Sequence, residues 1–342
     1  MPQESGVAPG GQYLSPGCVL CHQGAKMVLF VTGRCHRTCW YCPLSRERKG
    51  RDVVFANDRR VTTPSDIIKE AETMSALGTG VTGGEPLLVL DRVVDYCILL
   101  KERFGPDHQI HLYTGLAPDA SMLGRLQGLV DEVRLHPPQE SWSRILETDY
   151  ARSAALARRM GFTIGIEVPS LPGLGDLAAA LPLLDFLNIN ELEWGETCAA
   201  AMRERGLEPE DGLHNAVRGA RQWVEELPAD PKVHFCSSVF KDSVQLRERL
   251  KRVAANTARP FEEVTDDGTV VYGVLEPAGP LNGFLDGLDE DDYEICEGRV
   301  ETAWWVLVDH AGLVQGKKYV VERYPNGGMV VEVTPIDVAF QD

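Results

Sequence analysis

Residues 27–42 read MVLFVTGRCHRTCWYC, an apolar run that breaks at Gly33 into a loop carrying three cysteines. The first six, MVLFVT (27–32), are large or β-branched without polar alternation, the pattern of a strand buried on both faces. The loop spaces its thiols C-x3-C-x2-C, at Cys35, Cys39 and Cys42. Several thiolates on one short segment suit an iron–sulfur cubane, and three of them leave one iron open to an outside ligand. Zinc more often takes four protein ligands from C-x2-C pairs. His36, inside the loop, is awkwardly placed to serve as a fourth.

Working outward, a helix start at Thr63-Pro64-Ser65-Asp66 leads an apolar pattern to Leu77, with Gly78 as its stop. A short strand at 80–82 runs into the turn Gly83-Gly84-Glu85-Pro86, followed by a helix through Leu99 and Leu100. Strands are expected at 108–115, 132–136, 162–169, 186–194 and 232–238, with helices at 122–129, 152–161, around 177–184 and around 215–226. This alternation predicts an α/β fold with a parallel sheet and helices outside it. A chain of 342 residues is short for a full eight-unit barrel with additions. An open barrel of about six units fits better. Beyond Arg259 the segments 268–275, 302–309, 317–324 and 328–333 read as successive strands, with Asn326-Gly327 as a hairpin turn. The expected organisation is an N-terminal segment (1–24), a barrel (25–259) and a small C-terminal antiparallel β appendage (260–342).

The two motifs together resemble the radical S-adenosylmethionine (SAM) superfamily. Its C-x3-C-x2-C signature follows the first strand of a partial (β/α)6 TIM-like barrel, and its GGEP motif follows the second. The resemblance covers roughly residues 25–240. It implies a [4Fe–4S] cluster on Cys35, Cys39 and Cys42, and SAM chelating the open iron. Tyr41 and Gly83, Gly84, Glu85 and Pro86 would contact SAM, with Thr114, His136 and Glu167 as further candidates by position. It also implies reductive cleavage to a 5′-deoxyadenosyl radical, hydrogen abstraction from a substrate, and a reductant such as ferredoxin or flavodoxin. FVTGRCHRTCWYCPLSRERKG and HFCSSVFKDSVQLRERLKR look like an archaeal group described as related to pyruvate formate-lyase activating enzymes.

Nine cysteines in a large chain point to metal ligation rather than disulfides. Cys18-x2-Cys21 precedes the first strand, and Cys236 ends the last barrel strand, so the three are expected to meet. They would bind a second iron–sulfur cluster, with zinc as the rival metal and His22, Cys198 or substrate completing the set. Cys97, in an apolar helix, reads as a small buried hydrophobe, and Cys296 as incidental. No run of about 18 apolar residues predicts a membrane span. MPQESGVAPGGQYLSPG (1–17) lacks the basic and apolar regions of a signal peptide. The expected location is cytoplasmic.

A formal net charge of −17 repels nucleic acid unless a local basic patch offsets it. Much of the acid lies in LDGLDEDDYEICEG (285–298), read as a solvated loop. Two basic stretches, 46–60 and 241–259, make RNA or a nucleotide a candidate substrate. In the second, Leu246, Leu250 and Val253 form an apolar helical stripe. The favoured expectation is a radical enzyme acting on RNA, a nucleotide or a small metabolite. The alternatives are a protein-modifying radical enzyme such as a glycyl-radical activase, and a non-catalytic zinc-binding protein.

Overall fold

The MVLFVT run forms β1 (Lys26–Phe30), whose Val31 continues the pairing by donating to Thr82 O at 2.8 Å. In the computed structural model, which describes residues 13–212, 214–281 and 283–336, the chain divides into two units. One takes in the chain to Glu72 and Ala76–Gln245; the other takes in Thr73–Ser75 and the chain from Leu246. The first twelve residues of the expected segment 1–24, and residues 282 and 337–342 of the expected appendage, lie outside the described residues.

In the first unit, α1 (Pro16–His22) is capped by Ser15, whose hydroxyl accepts from Cys18 N. The sheet then adds β2 (Phe55–Ala56) and β3 (Arg59–Arg60) as a short antiparallel edge on β1. Its other strands are β4 (Gly78–Thr82), β5 (Gln109–Thr114), β6 (Glu132–Leu135), β7 (Thr163–Pro169), β8 (Phe186–Asn190) and β9 (Val233–Cys236). The order is β3-β2-β1-β4-β5-β6-β7-β8-β9, and β1 with β4 to β9 is parallel throughout. Seven parallel strands are thus joined by six crossovers, the partial barrel that the alternation predicted. Every residue of β6 is buried, as expected of a parallel strand covered on both faces.

The first four crossovers carry α2 (Pro64–Thr73), α3 (Leu90–Phe104), α4 (Ala120–Leu126) and α5 (Asp149–Arg159). The helix expected to reach Leu77 stops at Thr73, because Ser75 takes a left-handed φ of 47°. The later crossovers depart further from expectation. The fifth is a 3-10 segment, Leu174–Leu183, with Pro182 inside it. In the sixth, α6 (Ala199–Arg203) is followed by bridges Glu193↔Ala216 and Pro209↔Val217, so the expected 215–226 helix is only a 3-10 turn over Ala220–Glu226. Gly219, at φ 79°, breaks the helical path ahead of it. After β9 come α7 (Ser238–Phe240) and a π-helical turn, Lys241–Leu246.

The second unit begins with α8 (Arg247–Thr257), which buries Leu250 and Val253 of the expected stripe. Its antiparallel sheet comprises β10 (Glu263–Val264), β11 (Val270–Pro277), β12 (Tyr293–Cys296), β13 (Arg299–Thr302), β14 (Gly316–Arg323) and β15 (Val330–Pro335). The order is β12-β13-β11-β14-β15, with β10 on β11. Two expectations fail here. TAWWVLVD was expected to be a strand; β13 ends at Thr302, and α9 (Trp304–Asp309) takes the rest. Tertiary packing overrides β-propensity: the helix lies on Gly273 of β11, where a Cβ would meet Leu307 Cβ and Trp304 Cα at 3.1 Å. The acidic 285–298 stretch is not all loop, since β12 pairs with β13 and Arg259 holds Glu294 at 2.9 Å. Among the described residues no helix is long and apolar enough to cross a membrane.

Candidate active site at the barrel mouth

The C-terminal ends of parallel strands are where ligand sites form in such sheets. Here a cavity of about 570 Å³ opens there, lined by Cys35, Cys39, Tyr41, Cys42, Gly83 to Pro86, Thr114 and His136. Asn190, Glu191, Glu193, Lys49 and Lys241 complete much of its wall. Of the residues singled out for SAM or the first cluster, only Glu167 does not line it.

The two motifs meet through their backbones. Gly84 N–H donates to Thr32 O at 2.7 Å, and Glu85 N–H to Arg34 O at 2.8 Å. Glycine is required for this approach: a Cβ on Gly84 would lie 2.4 Å from Arg34 O, and one on Gly83 2.5 Å from Thr32 O. Glu85 is fully buried, and its carboxylate is engaged on all sides. It accepts from Leu87 N (3.0 Å), Thr114 Oγ1 (2.8 Å), Gly115 N (2.7 Å) and Leu116 N (3.2 Å). Four donors fill the lone-pair sites of a carboxylate. Its side chain therefore orders the loop after β5, which sets Thr114 on the cavity wall.

The cysteine loop has no regular structure, yet it is tied down at both ends. Arg37, between the first two cysteines, donates to His136 O at 2.8 Å and also to Gly115 O and Tyr150 Oη. Past the third, Thr197 Oγ1 donates to Cys42 O (3.1 Å) and Leu44 O (2.7 Å). Tyr41 Oη lies 3.1 Å from His136 Nε2, and His136 Nδ1 lies 2.8 Å from Glu167 O. A carbonyl only accepts, so Nδ1 carries the proton and Nε2 accepts from Tyr41. Burial lowers the pKa of His136, favouring this neutral ring.

Glu167 sits beneath the cavity. Its Oε1 accepts from Asn190 Nδ2 (2.7 Å), and its Oε2 from Arg134 Nη1 (2.6 Å) and Asn188 Nδ2 (3.1 Å). Burial alone would raise its pKa; Arg134, then Asn190 and Asn188, outweigh that and hold it below the usual carboxylate range. Arg134 also meets Glu132 at 2.5 Å, so one buried guanidinium serves two carboxylates.

Among the described residues, the three loop thiols are the only sulfur donors on the cavity wall. Burial pushes Cys35 and Cys39 above the ordinary thiol pKa, so taking up metal releases protons. Soft donors on one wall, facing open space for a further ligand, fit an iron–sulfur cluster with SAM beside it. Among the described residues no three His, Cys, Asp or Glu side chains already stand at coordinating spacing, the cysteine loop included. Cys18 and Cys21 lie on α1 and Cys236 on β9. Cys198, expected as a candidate to complete that set, caps the start of α6, with its Sγ 3.4 Å from Gly195 O. Cys97 is fully buried.

Sequence reasoning missed Arg37, Thr197, Asn190 and the ion pair Lys241–Glu193 at 2.5 Å. Only Arg37, inside the motif, carried a local signal. Elsewhere in the basic stretches, Arg46 pairs with Glu196 (3.0 Å), Arg59 with Glu70 (3.2 Å) and Lys251 with Glu248 (3.6 Å). Arg252 donates to Met74 O at 3.1 Å.

Residues 29–174 match the family described as the radical SAM superfamily, and residues 268–336 match a domain of unknown function, DUF8061. The chain is 33% identical over 351 residues to the "Putative glycyl-radical enzyme activating enzyme MJ0021" of Methanocaldococcus jannaschii, across 94% of this chain and 93% of that one. Among solved structures it is similar to Streptococcus suis SuiB bound to S-adenosylmethionine, at 12% identity and a TM-score of 0.40, over 62% of this chain and 50% of that one. SuiB bound to precursor peptide SuiA is similar at 11% identity and a TM-score of 0.41, over 64% and 51%. The chain thus spans about half the length of these two solved structures.

Proposed function

The chain belongs to the radical SAM superfamily, and from that premise we propose that Cys35, Cys39 and Cys42 hold its [4Fe–4S] cluster, with SAM between them and the Gly83-Gly84-Glu85-Pro86 turn. The protein is an enzyme of that superfamily, which sets aside the non-catalytic zinc-binding alternative. The observation that carries the reading is the backbone docking of the two motifs on one cavity wall. Cys35, Cys39 and Cys42 would hold the cluster there, and with SAM bound it would supply the radical chemistry that takes hydrogen from an unactivated carbon.

The chain's own residues position and shield. Arg37 and Thr197 hold the cysteine loop across the mouth. Tyr41, Thr114 and His136 present a neutral, hydrogen-bonded wall to SAM, and buried Glu85 keeps that wall in place. Glu167 acts through Asn190, which it orients toward the cavity. The Lys241–Glu193 pair offers one cation and one anion to a polar substrate. A net charge of −17, with Arg46, Arg59 and Lys251 paired to acids, weighs against RNA, so a small polar metabolite or nucleotide is the favoured substrate. Activation of a protein by forming a glycyl radical is the second reading, favoured by the likeness to the archaeal putative glycyl-radical enzyme activating enzyme. A ferredoxin or flavodoxin would deliver the electron.

The test is anaerobic. Iron- and sulfide-reconstituted protein is given dithionite and SAM, beside a Cys35→Ala/Cys39→Ala/Cys42→Ala variant. The reading expects about four irons per chain lost in the variant, with 5′-deoxyadenosine formation abolished. Cleavage persisting without these thiols would refute it. Fully deuterated cell extract, split into small-molecule and macromolecular fractions, separates the substrate classes. Deuterium should enter 5′-deoxyadenosine from the small-molecule fraction; entry from the macromolecular fraction alone would favour protein activation.

A further inference from the structure

We propose that Cys18, Cys21 and Cys236, completed by an imidazole from His22 or His234, form a second metal site for a single tetrahedral divalent ion of the zinc type. Two independent periodicities select these residues. On α1, positions i, i+3 and i+4 share one face, and they are Cys18, Cys21 and His22. On β9, positions i and i+2 share one face, and they are His234 and Cys236. The helix and the strand bring these two faces together. The rings of His22 and His234 have centroids 5.6 Å apart. Three thiols and two imidazoles thus come from these two elements, the donor mixture that zinc takes.

Two of the three sulfurs accept hydrogen bonds. Cys18 Sγ accepts from Asn188 Nδ2 at 3.1 Å and from Arg134 Nη2 at 3.5 Å. Cys236 Sγ accepts from Gln245 Nε2 at 3.7 Å. Donors arranged around sulfur in this way orient ligands and offset their charge. Meanwhile His22 Nε2 and His234 Nδ1 are buried without any hydrogen-bond partner. Buried polar atoms are nearly always satisfied, and a bound ion is a standard reason for exceptions. Loading the site removes a proton from each thiol and turns an orphaned ring nitrogen into a ligand. The spacing is not yet coordinating, which is equally true of the three loop cysteines.

The site is read in the full-length Cys35→Ala/Cys39→Ala/Cys42→Ala variant, so the result does not depend on the radical-site reading. Grown with zinc and iron, that variant should carry about one zinc per chain and no acid-labile sulfide. Adding Cys18→Ala/Cys21→Ala should cut the zinc to below about a tenth of that. Cobalt(II) exchanged into the parent variant should give the intense d–d and thiolate charge-transfer bands of a tetrahedral sulfur site. Those bands should survive Cys97→Ala, whose thiol lies in α3, and vanish in Cys236→Ala. The cobalt spectrum of the parent variant decides even where a further substitution prevents folding. Iron with sulfide in the parent variant would overturn the single-ion assignment. A folded chain without bound metal, or weak octahedral cobalt bands, would overturn the site itself.

Discussion

Replacing Arg134 with Met removes the positive centre of a buried charge cluster while nearly preserving its volume. Arg134 is 2% exposed and faces Glu132 at 2.5 Å and Glu167 at 2.6 Å. Its guanidinium also donates to Ser15 Oγ and Tyr113 Oη, each at 3.1 Å. Removing one partner of a buried ion pair costs about 3–5 kcal/mol, because the other charge is left uncompensated. With two carboxylates abandoned, the upper half of that range is expected, a rise of about a thousandfold in the open population. The deficit should depend on pH. In the unaltered chain Glu167 is held below its ordinary pKa, so its contribution is present at neutral pH and lost as pH falls through the folded value. In the variant, burial without Arg134 raises it, and protonation then relieves the penalty. Both effects narrow the gap in acid. Site-resolved alkylation of fully buried Cys97 in urea, at about pH 7 and about pH 5, measures opening of this unit alone. A loss below about 1 kcal/mol, equal at both pH values, would refute the reasoning.

Three further outcomes are expected. Glu85→Gln sets an amide donor against four existing donors; it should cost about 1–3 kcal/mol in urea melts and weaken SAM binding by calorimetry. Tyr41→Phe strips His136 Nε2 of its donor and should cost about 1 kcal/mol, with nitrogen NMR still finding the proton on Nδ1, where Glu167 O holds it. Burial pulls Lys26 down to about 7, so the unfolded chain binds the extra proton above that value. Stability should then rise from about pH 7 toward the ordinary lysine pKa of about 10.4, and Lys26→Met should flatten that rise in pH-dependent melts.

The parallel strands were legible because such strands are covered on both faces and so read as apolar runs, as MVLFVT and FTIGIEVP do, with Val28 in β1 the exposed exception. The cysteine loop and GGEP turn were legible because their chemistry is local. What escaped depends on partners far along the chain. Arg37 is set by Tyr150 and His136, and Lys241 by Glu193. Glu167 was placed at the right strand end, but Arg134 and the two asparagines draw it beneath the cavity. The WWVLV run misled because a glycine on the neighbouring strand makes room for a helix that β-propensity disfavours.

The junction between the two motifs counts residues rather than reading side chains. Consecutive N–H groups of Gly84 and Glu85 reach alternate carbonyls, those of Thr32 and Arg34. A residue inserted between Gly84 and Glu85 would throw one of these donors out of step, and the turn would slide along the cysteine loop. Residues 48–51 close on the same strand end from the other side, where Gly33 N–H donates to Arg51 O at 2.7 Å and Gly50 N–H to Gly33 O at 2.8 Å. The distance between thiols and turn is therefore metered by peptide units, a gauge that holds only while the two glycines keep the backbones in touch.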